Sequence, residues 1–160
     1  AAREQRRVDI DYISLSTPQL RGRNLVPHTL VSDGFRWHVR AYCEEKGDYL
    51  DFVLSRFRNT PDLLDKSEHG REQDLDWNAY TDIEMIPNPY LTSNQQTIVA
   101  EDYGMNDSAM RITSRHALVK YVVNRLNICL DEEKLRAVPE EHQLTVRQLE
   151  TINQHMIARA

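Results

Sequence analysis

The stretch Arg36-Trp37-His38-Val39-Arg40-Ala41-Tyr42-Cys43 constrains the fold more than any other part of the sequence. Successive side chains of a β-strand point to opposite faces. Trp37, Val39, Ala41 and Cys43 therefore share one face, apolar or soft, while Arg36, His38, Arg40 and Tyr42 share a hydrogen-bonding one. Three further stretches have the same β-rich character. Val8 to Ser16 is dense in β-branched and aromatic residues, and Thr17-Pro18 ends it, because proline has no N–H to donate to a ladder. Asn24 to Val31 is a second strand, followed by the turn Ser32-Asp33-Gly34, and Tyr49 to Arg58 is a fourth, after a turn around Gly47. Four strands in about fifty residues, joined by short turns, predict a small antiparallel sheet or partly closed barrel over residues 8–60.

Downstream the pattern changes. Lys66 to Asp76 is almost entirely polar, and residues 61–74 read as a linker. From residue 75 to residue 160 the periodicity is mixed, which predicts a second, small α+β domain. Thr92-Ser93-Asn94 is a helix start for a helix reaching about Glu101. Met110 to Thr113 is a short strand. Ser114 is a candidate cap for a helix carrying Ala117, Leu118, Tyr121, Val122 and Leu126, and Leu144 to Arg159 reads as a final helix.

Charge narrows the function. The net charge of −5 divides unevenly: residues 1–60 hold ten Lys/Arg and eight Asp/Glu, residues 61–160 ten and seventeen. A uniformly basic nucleic-acid-binding surface is therefore excluded, and any anion site is expected to be local and in the first sixty residues. Cys43 and Cys129 are too few and too far apart for a disulfide framework or a zinc site, so no metal or cofactor is expected, and a reducing cytoplasm is the expected compartment. No apolar run approaches the roughly 18 residues that a membrane span needs.

The polar face has a definite chemistry. With Arg36, His38, Arg40 and Tyr42 from the third stretch, it gains Tyr12, Ser14 and Ser16 from the first by the same alternation, and His28 and Arg56 are candidates to join it. Guanidinium forks match phosphate oxygens, each charge-assisted bond being worth about 1.5–3 kcal/mol, and a tyrosine ring offers a base a stacking surface. A nucleotide or short oligonucleotide is the ligand such a set suits. A plain solvated face explains the same alternation, since antiparallel sheets often turn one face to water.

The runs Tyr12-Ile13-Ser14-Leu15-Ser16, Arg23 to Val31, Asp33 to Cys43 and Asp51 to Phe57, in this order, resemble a WYL domain. They are similar in particular to the branch found in transcriptional repressors of bacterial anti-phage defence islands. The naming triplet Trp-Tyr-Leu stands here as Trp37-His38-Val39, a departure at two of three positions, although this branch commonly reads Trp-His. The resemblance implies an Sm-like (SH3-like) β-barrel that binds a regulatory, nucleic-acid-derived ligand. Its pocket would be built from Tyr12, Ser14, Ser16, Arg23, His28, His38, Arg40, Tyr42 and Arg56, with Trp37 assigned to packing. Ile83 to Leu91 and Arg115 to Tyr121 resemble the C-terminal extension domain that follows such domains and helps them dimerise.

The resemblance also implies a winged helix-turn-helix as the reader of operator DNA. The residues before Val8 are too few to hold one, so it is expected in a preceding segment of a longer protein. The expected function is thus the ligand-sensing, homodimerising part of a bacterial repressor. The alternative is a stand-alone Sm-like module that binds single-stranded nucleic acid. An enzyme is not expected: His28 or His38 with Asp9, Asp11 or Asp51 are conceivable acid–base groups, but no nucleophile elbow, Walker loop or zinc-ligand spacing accompanies them.

Overall fold

The computed structural model describes residues 1–16 and 18–156. Thr17, expected to help end the first strand, and residues 157–159, the end of the last expected helix, lie outside the described residues. The chain divides into two compact units, Ala1–Leu75 and Asp76–Ala160.

The first unit is a five-stranded antiparallel sheet of β1 (Arg6–Ile13), β2 (Leu20–Ser32), β3 (Trp37–Cys43), β4 (Asp48–Val53) and β5 (Asp62–Lys66). The order is β4-β3-β2-β1-β5. The register pairs Val8 with Leu25, Leu25 with Cys43, Val39 with Phe52 and Ala41 with Leu50. These residues, with Ile10 and Tyr12, form the core on one face of the sheet. Burying a side chain such as Ile10 or Leu25, both fully enclosed, stabilises the fold by about 1.5–3 kcal/mol each.

Two expectations are corrected here. The barrel does not close: β4 and β5 are opposite edges, and no ladder joins them among the described residues. The chain leaves β4 through a 3-10 turn, Leu54–Arg56, where the composition suggests that the strand continues. The segment 61–74 is also more than a linker, because β5 pairs with β1 through Lys66–Arg6, Leu63–Val8 and Asp62–Asp9. Backbone ladder bonds and a hydrogen bond from Arg6 Nε to the Leu64 carbonyl (2.8 Å) hold it. None of its side chains is fully buried, so its composition carries no hydrophobic signal.

The second unit begins with a single helical turn, α1 (Leu75–Asn78), at the boundary. It then builds a three-stranded antiparallel sheet, β7-β6-β8, from β6 (Tyr80–Pro87), β7 (Met110–Arg115) and β8 (Leu144–Val146). Helices α2 (Ser93–Asp102), α3 (Val119–Arg125), α4 (Glu132–Ala137) and α5 (Leu149–Gln154) complete it. Ile83 and Met85 of β6 meet Leu91, Val99, Val119, Val123, Leu144, Val146 and Ile152 in its core. Thr92 caps α2 in a capping box with Gln95, as its sequence position predicts. Asp131 caps α4 by accepting from the amides of Glu133 (3.0 Å) and Lys134 (3.2 Å).

Ser114 is not a cap. It pairs with Thr81 in the β6–β7 ladder, which delays the helix until a 3-10 turn, His116–Leu118, has passed. The final expected helix is likewise shortened, because Leu144–Val146 pairs with Pro87–Met85 as a strand. No described helix is long and apolar enough to cross a membrane.

Candidate functional site

Alternation along β3 places His38, Arg40 and Tyr42 on the face opposite the core. His28 of β2, in step with Val26, which pairs with Tyr42, shares this face at a register break between Pro27 and Thr29. There His28 Nε2 lies 3.1 Å from Asp74 Oδ2. Arg40 grips the same carboxylate with both arms, Nε to Oδ2 at 2.7 Å and Nη2 to Oδ1 at 3.0 Å. Its Nη1 faces Asp51 Oδ1 at 3.5 Å, from the opposite position on β4. The face is not a solvated surface: the Arg40 and Asp74 side chains are only 6% and 1% exposed. A guanidinium taken so far from water is tolerated because its fork is filled by oxygens.

Aromatic groups flank this ion cluster. Tyr42 stacks on His69 with ring centroids 3.8 Å apart and planes 11° from parallel, and meets Tyr49 edge-on. The Tyr49 hydroxyl donates to the Gly70 carbonyl at 2.8 Å. Burial, then the Asp74 carboxylate and the neighbouring Tyr42, push the Tyr49 phenol up to about 12. The segment Ser67–Asp74 thus lies across the polar face.

His38, 5% exposed, belongs to an adjoining hairpin-tip network. Its Nε2 is 2.8 Å from Asp33 Oδ2, while Asp33 Oδ1 accepts from the amides of Phe35 (2.8 Å) and Arg36 (2.7 Å). Gly34, at φ 95°, makes the tight turn possible. The His38 hydrogen bond, followed by the Arg36 and Phe35 amides, holds the Asp33 carboxyl well below the usual carboxylate range. With a folded value below the unfolded one, Asp33 stabilises the hairpin fully above about pH 4, and that contribution is lost only as pH falls through the lower folded value. Carboxyl-carbon NMR is expected to give Asp33 a midpoint below the ordinary aspartate value of about 3.9, and a midpoint at or above it contradicts the network.

The other expected site residues do not join the cluster. Tyr12 is in the core, 6% exposed, edge-on to Phe52 and Phe57, with its hydroxyl accepting from the Val53 amide at 3.1 Å. It has the same parity as Val8 and Ile10, which marks the core face and overrides its parity with Ser14 and Ser16. Those serines sit beyond the end of β1 and hydrogen-bond to each other at 2.8 Å. Arg23 pairs with Ile10 across the ladder, which puts it on the core side near Cys43. Arg56 lies in the 3-10 turn after β4. Trp37, expected to pack, is 55% exposed, because its strand position lies past the rim of the core.

The sequence does not predict Asp33, Tyr49, His69 or Asp74 at these positions, and it offers Asp51 only as a conceivable acid–base group. The alternation Tyr49-Leu50-Asp51-Phe52 is a signal for Tyr49 and Asp51. Nothing local marks Asp74, one carboxylate in a polar run.

The first unit is thus a small antiparallel sheet with an oxyanion-filled arginine seat, joined to an α+β unit with its own core. A WYL-domain family model matches residues 1–60, and a model described as the BrxR transcriptional regulator C-terminal dimerization domain matches residues 80–152. The chain thus joins a WYL domain to a domain of the BrxR C-terminal dimerization type, and its named relatives are transcriptional repressors, not enzymes.

Among its relatives is the DNA-binding transcriptional repressor CapW of Escherichia coli (strain KTE188), 38% identical over 152 residues, 95% of this chain and 50% of that protein. CapW of Pseudomonas aeruginosa is 34% identical with the same coverage. The chain therefore spans about half the length of the curated relatives it matches. A solved structure, the proteasome accessory factor B/C (PafBC) of Arthrobacter aurescens, aligns over 98% of this chain and 24% of its own at 18% identity, with a TM-score of 0.40.

Proposed function

We propose that the chain is the effector-sensing and dimerising part of a phage-defence repressor in the bacterial cytoplasm. The first unit binds a nucleotide or short oligonucleotide, the second pairs two copies, and a winged helix-turn-helix in a preceding segment reads operator DNA. The finer fold name, an Sm-like sheet, belongs to the same proposal: the meander β1–β4 with β5 returning to β1 is compatible with it. The observation that carries the sensor reading is Arg40, a guanidinium seated on a sheet face with its fork already shaped around two oxygens. A phosphate presents the same pair of oxygens. His28 and Tyr42 flank the seat with an imidazole and a ring. Effector binding alters repression only through a difference in affinity between two arrangements of the dimer.

The test is a titration of the chain with a fluorescent deoxythymidine tetranucleotide carrying a terminal phosphate, with mononucleotides and long single strands alongside. The wild type is expected to bind the short probe with shallow salt dependence, and Arg40→Lys, which keeps the charge but not the fork, to bind at least about tenfold more weakly. Preference for long strands with a steep salt slope supports the stand-alone nucleic-acid-binding module instead. That second reading draws on the hairpin tip, where Phe35 and Trp37, 93% and 55% exposed, flank Arg36. Absence of binding to every probe overturns the nucleotide reading.

A further inference from the structure

We infer that Asp74 is a resident competitor for the effector: its carboxylate fills the anion seat of Arg40, and an incoming phosphate exchanges for it and lifts the Ser67–Asp74 segment off the sheet. This inference rests on the sensor reading above and concerns how that site is regulated.

Exchange is the physically economical route into this site. Removing Asp74 alone leaves Arg40 buried without its bidentate partner, which is strongly unfavourable. Replacing one anion by another keeps a counter-charge on Arg40 beside Asp51 and His28, and the guanidinium fork donates to carboxylate and phosphate oxygens alike.

The segment that carries Asp74 is built to be displaced. Ser67-Glu68-His69-Gly70-Arg71-Glu72-Gln73-Asp74 contains no apolar side chain, so no hydrophobic anchor resists its departure. Gly70 and Asp74 are its buried members. Among its ties are the Asp74 contacts with Arg40 and His28, the Tyr49–Gly70 hydrogen bond, the Tyr42–His69 stack, and two bonds between Gln5 and Ser67 (2.7 and 3.0 Å).

Each tie also hides a group that a nucleotide uses. Lifting the segment bares the Arg40 fork for phosphate, the Tyr49 hydroxyl for a second oxygen, and the Tyr42 ring face for a base, in the place that the His69 ring now takes. The three are adjacent, since Tyr42 faces Tyr49, and Arg40 faces Asp51, across the β3–β4 ladder.

The same event has a route to the second unit through the chain itself. Asp74 stands two residues before Asp76, where the second unit begins.

The experiment compares wild type and Asp74→Asn, which keeps the size and an amide oxygen for Arg40 but removes the competing charge. Binding of the phosphorylated deoxythymidine tetranucleotide is followed by anisotropy, with inorganic phosphate as a competitor, and native structure is checked by circular dichroism. Asp74→Asn is expected to bind the probe about tenfold more tightly, because the competent state no longer has to be won from Asp74. In wild type, saturating probe is expected to speed hydrogen exchange of the amides in residues 67–74. If Asp74 merely positions Arg40, the folded variant binds as weakly as wild type or more weakly, and that result overturns the inference while leaving the sensor reading intact. Unchanged exchange in a wild type that binds the probe overturns it equally, and decides the matter alone if Asp74→Asn does not fold. If neither protein binds the probe, the sensor reading itself fails, and the inference with it.

Discussion

Replacing Arg40 by alanine is expected to lower the unfolding free energy of the first unit by about 3–5 kcal/mol, the cost of breaking a buried ion pair from one side. The loss exceeds what a surface bridge would give, about 0–1 kcal/mol, because truncation leaves Asp74 and Asp51, with side chains only 1% and 2% exposed, without their cation. Urea unfolding followed by circular dichroism checks it, and added salt should not mimic the effect, since screening hardly reaches buried pairs. The double variant Arg40→Ala with Asp74→Ala is expected to lose less than the sum of the single losses, because the second change removes a charge that the first stranded. A loss within about 0.5 kcal/mol, the range of neutral surface changes, would mean that Arg40 is not held as described. For the same reason Arg40→Ala is a poor probe of ligand binding: it disturbs the site before any ligand is added.

Asn88→Leu is expected to destabilise the second unit by an amount of order 2–5 kcal/mol, from two carbonyls left unpaired at about 1–3 kcal/mol each. Asn88 is completely buried after β6, between Pro87 and Pro89. Its Nδ2 donates to the carbonyls of Leu135 and His142, both at 2.9 Å, and its Oδ1 accepts from the Tyr90 amide at 3.0 Å. One side chain thereby ties the end of β6 to α4 and to the approach to β8. Leucine fills similar space but satisfies none of these groups, so packing does not rescue it. Asn88→Asp is expected to be at least as damaging as Asn88→Leu, because a buried carboxyl group would then face the two carbonyl oxygens without either donor. A leucine variant that unfolds within about 1 kcal/mol of wild type, measured on the second unit's transition, would show that water replaces the side chain at these carbonyls.

The contrast between Arg40 and Asn88 shows what a sequence exposes to inspection. The place of Arg40 on the polar face was legible because it alternates with Val39 and Ala41, and a period of two is a local property of the chain. Its partner Asp74 was not legible, because it lies 34 residues away at the end of an unbroken polar run, Lys66 to Asp74. Alternation with Ser14 and Ser16 puts Tyr12 on the polar face, whereas Val8 and Ile10, in step with it, mark the core side where it lies. β5 and β8 escaped for a different reason: both are short, and backbone ladders to β1 and β6 hold them, a kind of bond to which every residue type contributes alike.

The alternation of apolar and polar side chains, the turn residues and the family motifs decided on their own that this chain would form a β meander with one greasy and one cationic face, followed by a mixed unit. Those are short-range properties, set by strand pleat, turn geometry and side-chain size. Only the tertiary structure decided that the cationic face would be closed by the protein's own carboxylate, and that the sheet would stay open at β4 and β5. Both depend on which distant segments meet, and the energies that select the meeting, one buried ion pair and a few backbone ladders, leave no periodic trace in the chain.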